Sequence, residues 1–188
     1  MSINIRLATL DDIPLIQKLI VDSVRRLSAS YYSEEQITSA LAYIFGVDTQ
    51  LILDGTYFVA EEDGEIVGAG GWSKRATMYG GDQLKSGDPD PLLSPDSDPA
   101  RVRAFYVHPE AARKGIARRI LTSCEAALQQ EGFTRIELVA TLPGEPLYSA
   151  LGYDIIKPVE MTMPDGQSIS AFLMEKVLTS TTGQAAKP

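Results

Sequence analysis

The stretch "VHPEAARKGIAR", Val107 to Arg118, decides how this chain folds. A strand-like run containing Val102, Ala104, Phe105 and Val107 leads into it and stops at Pro109. Six residues after the proline comes Gly115, and from there apolar residues recur at helical spacing: Ile116, Ile120, Leu121, Cys124 and Leu128. Gly132 ends that helix. The stretch is therefore a strand, a turn and a helix over 116–130, with a glycine and two cations, Arg113 and Lys114, at the helix start. A helix N-terminus presents backbone N–H groups without partners and a partial positive charge, which together make an anion site. Gly115 lets a phosphate approach the backbone, and Ala117 keeps the next tight position small. Arg113, Lys114 and Arg118 can add charge. The lysine is not preceded by a GxxxxG run or followed by Ser or Thr, so this is no P-loop, and the glycines miss the dinucleotide spacing GxGxxG.

Working outward, "FTRIELVAT" reads as a strand, so strand, helix and strand form a parallel pair. "GEPLYSALGY" holds a short helix closed by Gly152, and "DIIKPVEM" with "SISAFLMEKVL" makes an antiparallel pair turned by Asp165-Gly166. Upstream, "TYFVAEEDGEIVGAGGWS" is a β-hairpin around Asp63-Gly64. Gly68, Gly70 and Gly71 thin its second strand, which predicts a close neighbour or a bulge. "INIRL" alternates as a first strand, "TLDD" opens a helix capped by Thr9, and "SEEQ" opens another capped by Ser33. The order β-α-α-β-β-loop-β-α-β-α-β-β predicts one α/β (α+β) domain over 1–178, a mixed central sheet with flanking helices. The final stretch, 179–188, lacks an apolar pattern and is expected to be a disordered tail. Between Arg75 and Ala100 lie four prolines, five aspartates and three glycines, the composition of a long loop that is either functional or disordered.

Composition narrows the function. The 188 residues are 44% hydrophobic and 22% charged, ordinary for a globular protein, with a net charge of −8. That acidity argues against general nucleic-acid binding, which needs Lys and Arg to replace counterions. Cys124 is the only cysteine, so an intrachain disulfide is excluded; it reads as a small core residue. No apolar run is long enough to span a bilayer, and "MSINIRLATLDD" does not have the pattern of a secretory signal, so the default expectation is a cytoplasmic protein without a membrane partner.

These residues carry a resemblance. "FYVHPEAARKGIARRIL" resembles the acyl-coenzyme A motif of the GNAT N-acetyltransferase superfamily, in which a strand ending V-x-P is followed by [Q/R]-x-x-G-x-[G/A] at a helix start. Val107, Pro109, Gly115 and Ala117 match in type and spacing, while Ala112 stands where the family usually has Gln or Arg. "PLYSALGY" resembles a second family stretch, with Tyr148 on its tyrosine, and Thr141 stands where an Asn is common. The similarity runs over about 3–177 and is most specific from 102 to 153.

The resemblance implies a splayed parallel strand pair and direct transfer of an acetyl group from acetyl-coenzyme A to a primary amine, without a metal. The acceptor is a small-molecule or peptide amine, and a homodimer is compatible with the family. It assigns the cosubstrate to Phe105, Tyr106, Val107, Ala112, Arg113, Lys114, Gly115, Ile116, Ala117, Arg118 and Thr141. A backbone N–H at Val107 polarises the thioester carbonyl, and Tyr148 protonates the leaving sulfur; the plainer reading of Tyr148 is a tyrosine packed beside Leu147 and Leu151. Many relatives have Glu near the position of Arg103, so the route for the amine proton stays open among Glu61, Glu62 and Asp82 through water. His108 is the only histidine, but its place between Val107 and Pro109 usually faces solvent in the family. Tyr31, Tyr32, Trp72, Tyr79 and the 75–100 loop line an acceptor site, or Tyr32 and Trp72 are core aromatics. The alternative function is a non-catalytic acyl-coenzyme A binding or regulatory module.

Overall fold

A computed structural model describes residues 3–179; of the expected tail, 180–188 lie outside the described residues. Seven strands form one sheet in the order β1-β2-β3-β4-β5-β7-β6. They are β1 Ile3–Leu7, β2 Tyr57–Glu62, β3 Glu65–Ser73, β4 Ala100–Val107, β5 Arg135–Thr141, β6 Asp154–Thr162 and β7 Ser168–Val177. The helices are α1 Ile13–Leu27, α2 Glu34–Tyr43, α3 Thr49–Leu53, α4 Ile116–Gln130 and α5 Glu145–Ala150. Each neighbouring pair is antiparallel except β4–β5. Among the described residues, no helix is long and apolar enough to cross a membrane.

The helices cover both faces of the sheet, so two apolar clusters hold the single domain together. On one face Ile16, Ile20 and Val24 of α1 and Ile37 of α2 pack on Val59, Ala69 and Ile169. On the other, Ile116, Ile120, Cys124 and Leu128 of α4 pack on Trp72, Val102, Ile136 and Met174. Truncating a fully buried side chain such as Leu128 to Ala would cost about 2–5 kcal/mol. Cys124 is completely buried, and that burial raises its thiol pKa, so it is a core residue. The predicted elements are present, and among the α-helices there is one addition: α3 is a five-residue helix started by Asp48, whose carboxylate accepts from Gln50 N–H at 3.1 Å.

Two features of β4 position the site. First, its pairing with β5 stops after Ala100↔Ile136 and Arg101↔Glu137. Beyond that the two strands splay, while β5 stays paired along its other edge with β7 as far as Thr141↔Ala171. Second, Gly71 faces Arg103 and Ala69 faces Tyr106, so Ala104 and Phe105 share the single residue Gly70. This is a β-bulge. Ala104 adopts a left-handed φ of 57°, and the Tyr57 hydroxyl donates to its carbonyl at 2.9 Å. A Cβ on Gly70 would lie 2.8 Å from the Phe105 ring, so glycine is needed there. At Gly68 the close neighbour is Ile116 of α4. The glycine-thinned strand thus has both the close neighbours and the bulge that the sequence predicts.

The 75–100 segment is anchored rather than free. Gly81 N–H donates to the Ile44 carbonyl and Asp82 N–H to the Val47 carbonyl, both at 2.8 Å. Arg75 forms a two-pronged ion pair with Asp54, at 2.7 and 3.0 Å.

Candidate active site

The splay of β4 and β5 opens a cavity of about 240 Å³. Its walls bring together Phe105, Tyr106 and Val107 of β4, Thr141 of β5, Tyr148 of α5 and Ala117 of α4. Six of the residues singled out in the sequence therefore meet at one place, although up to about 40 residues separate them along the chain. Ala112, Arg113, Lys114, Gly115, Ile116 and Arg118 are not in its wall; they form the turn and first helical residues beside Ala117.

That turn is shaped by two left-handed residues, Arg113 at φ 63° and Gly115 at φ 79°. Among the described residues no acceptor faces the backbone N–H groups of Arg113 through Arg118; the first helical bond runs from Arg119 N–H to the Gly115 carbonyl at 3.1 Å. A Cβ on Gly115 would meet no heavy atom within 4 Å, so the approach to these donors is open. The side chains of Arg113, Lys114 and Arg118 are exposed, whereas Ile116 is buried and offers the site only its backbone. The arrangement suits a phosphate group.

Deeper in, the Tyr148 ring is held edge-on by Phe105 and Tyr153, with centroids 6.2 and 5.6 Å away. Burial raises its pKa well above the ordinary tyrosine value, so the hydroxyl stays protonated. Among the described residues it has no hydrogen-bond partner. His108 N–H donates to the Val67 carbonyl at 2.8 Å, so strand alternation turns Val107 N–H away from β3 and toward the splay. Its partner there is the Ser23 hydroxyl of α1, at 3.3 Å. Ser23 lines the same cavity and was not flagged in the sequence. The available signal was a polar residue on the apolar face of α1, between Ile20 and Val24.

Arg103 is the single charged side chain among the described residues lining the cavity. It is 6% exposed, ion-paired with the wholly buried Asp48 at 2.9 Å, and donates to the Gly80 carbonyl at 2.6 Å. Burial lowers its pKa and the Asp48 charge works against that shift. None of the three acids considered for the amine proton lies in the cavity. Glu61 is paired with Arg6 at 2.6 Å, and Glu62 stands opposite Ile3 at the far side of the sheet. Asp82 accepts from Thr49 N–H at 2.9 Å in a second, polar cavity of about 360 Å³, which shares Tyr79 and Arg103 with the first. His108 is tied up locally, its Nδ1 accepting from Glu110 N–H at 3.4 Å.

The aromatics divide. Trp72 is 2% exposed and packs on Phe133. The Tyr32 hydroxyl donates to the Ser170 carbonyl at 2.7 Å and accepts from Leu142 N–H at 2.8 Å. Both are structural, and Tyr31 lies outside the cavity. Tyr79, with Met78 and Gly80 of the anchored loop, does line it.

The acetyltransferase (GNAT) family model matches residues 21–153. The chain belongs to this family and is an acyltransferase. No curated protein matches the sequence. Among solved structures, a GCN5-related N-acetyltransferase from Rhodopseudomonas palustris is similar with a TM-score of 0.70 at 18% identity, over 95% of this chain and 97% of that one. The PaiA N-acetyltransferase of Thermoplasma acidophilum, in complex with coenzyme A, has a TM-score of 0.64 at 17% identity, over 94% and 99%. The ribosomal-protein-S18-alanine N-acetyltransferase of Escherichia coli has a TM-score of 0.58 at 15% identity, over the whole of both chains. At these identities the likeness is one of fold.

Proposed function

We propose that the protein transfers an acetyl group from acetyl-coenzyme A to a primary amine by direct attack in the cleft between β4 and β5. The observation that carries this reading is convergence: Val107 and Tyr148 line one apolar-walled cavity, and the N–H groups at the start of α4, unpartnered among the described residues, lie beside it next to Ala117. The coenzyme A complex of the Thermoplasma PaiA protein, which shares the fold, supports the choice of donor. The backbone amides of Arg113 to Arg118 hold the pyrophosphate, and the opening between β4 and β5 takes the pantetheine arm.

In the reaction the neutral amine attacks the thioester carbon and the new C–N bond forms. The carbonyl π electrons move onto oxygen, where Val107 N–H stabilises the charge. Re-formation of the C=O bond expels sulfur, and the Tyr148 hydroxyl protonates it, leaving an amide and free coenzyme A. The proton lost by nitrogen passes to water, and water returns one proton to the Tyr148 phenolate, so the residue ends the cycle as it began. Among the described residues no carboxylate lines the cleft, so the amine must arrive unprotonated, and the nearby positive charge of Arg103 disfavours its ammonium form. The acceptor enters past Tyr79 and Gly80, where the cleft meets the polar cavity.

A panel of amines (small amines, amino acids and peptide N-termini) assayed for release of free coenzyme A tests the reading, alongside calorimetric titration with acetyl-coenzyme A. Binding together with amine-dependent release is expected. If acetyl-coenzyme A gives no binding heat and no release with any amine, the reading is wrong.

A further inference from the structure

We propose that Ser23 is a catalytic residue: its hydroxyl is the second donor to the thioester oxygen, beside Val107 N–H. This rests on the acetyl-transfer reading above and adds a residue that lies outside both sequence motifs.

Ser23 sits in the middle of α1, 6% exposed, at a position where helical periodicity calls for an apolar side chain. A hydroxyl buried there needs partners. It has one: it accepts from Val107 N–H at 3.3 Å. Its own proton has no acceptor among the described residues. Helical hydroxyls commonly return that proton to the carbonyl four residues back. Thr122 does so to Arg118 at 3.0 Å and Ser123 to Arg119 at 3.2 Å. Ser23 does not, and it faces the cavity.

The geometry then makes a two-donor hole. Two donor atoms 3.3 Å apart can share an oxygen placed about 2.8–3.0 Å from each. Without ligand, the hydroxyl oxygen satisfies the Val107 amide, which would otherwise be costly in a dry cleft. When a thioester oxygen enters, it takes over the long bond from the Val107 amide, and rotation about the Ser23 Cβ–Oγ bond, which leaves Oγ in place, turns the hydroxyl proton toward the same oxygen. Ser23 loses no proton in the reaction. It donates a hydrogen bond while charge is on the oxygen and returns to Val107 after the C–S bond breaks. α1 and β4 are 84 residues apart at this contact, so the hole exists only in the folded chain.

The test does not need the acceptor. Isotope-edited infrared spectroscopy of acetyl-coenzyme A carrying carbon-13 in its carbonyl reads the polarisation of the bound thioester, since each hydrogen bond lowers the stretching frequency. Wild type should show a lower frequency than the free thioester in water. Ser23→Ala should move it back up while the calorimetric Kd stays within about threefold, and Ser23→Thr should restore much of the shift. Alanine favours helix, so the variant should fold. With an acceptor from the amine panel, kcat of Ser23→Ala should fall by about 100-fold, the size expected for one such donor. An unchanged carbonyl frequency in a folded Ser23→Ala that still binds overturns the proposal and leaves the acetyl-transfer reading intact. Absence of acetyl-coenzyme A binding by wild type overturns both.

Discussion

Replacing Gly115 by Glu puts a negative charge at the proposed pyrophosphate site, and the structure allows its effects on fold and binding to be separated. Gly115 has φ 79° and open space where a Cβ would go, so any side chain there pays for the left-handed backbone but meets no clash. That backbone cost is roughly 1–2 kcal/mol. For a domain of this size it lowers Tm by about 2–8 °C. Gly115→Gln carries the same strain and nearly the same volume, without charge. The difference between the two variants is therefore electrostatic. One pair of like unit charges at about 5 Å costs about 1–3 kcal/mol at effective dielectrics from 80 down to 20. The Glu variant should then bind acetyl-coenzyme A roughly 5- to 150-fold more weakly than the Gln variant. Titration calorimetry measures both, with thermal melts confirming equal stability, and added salt should shrink the gap. If the two variants differ by less than about twofold in Kd at low salt, the start of α4 does not hold the pyrophosphate.

Tyr148→Phe should keep the melting temperature, because the hydroxyl has no partner among the described residues and the ring contacts remain, while kcat drops by about 100-fold or more; a kcat within threefold of wild type removes Tyr148 as the acid. Burial raises the Tyr148 pKa, so the pH–rate profile should rise as the amine deprotonates and show no fall from this group up to about pH 10. Tyr79→Ala should raise the acceptor KM by about fivefold or more and leave the acetyl-coenzyme A Kd unchanged, since Tyr79 lies at the junction of the two cavities; the reverse pattern would place the acceptor elsewhere. The hydrogen bonds from Arg6 lower the Asp12 pKa from 3.8 to about 2. A carboxylate depressed on folding stabilises the fold above its unfolded pKa, so about 2 kcal/mol should be lost as pH falls from about 4 to 2. Asp12→Asn should flatten that part of an acid-unfolding curve, and an unchanged curve would show that the pair contributes nothing.

The strand, turn and helix around Val107–Arg118 could be read from sequence because their determinants are local. Proline stops the strand, Gly115 admits the left-handed turn, and a 3.6-residue apolar period carries α4 onto the sheet. The Asp63-Gly64 hairpin was readable for the same reason: both residues take positive φ, 53° and 85°, as a tight primed turn requires. The five-residue α3 was missed because one and a half turns are too short to show a period. Ser23 against Val107, the Asp48–Arg103 pair and the position of Tyr79 join segments far apart in the chain, and a local pattern has no information about them. The bulge lies between these cases. Its glycines on β3 were visible, but its effect falls on Ala104 and Phe105 of β4, whose sequence reads as plain strand. The local apolar and turn pattern of this chain determines its elements and the candidate phosphate turn. Only packing of those elements decides where β4 leaves β5, and hence which hydroxyls, amides and charges face the cavity, because that depends on contacts between residues tens of positions apart.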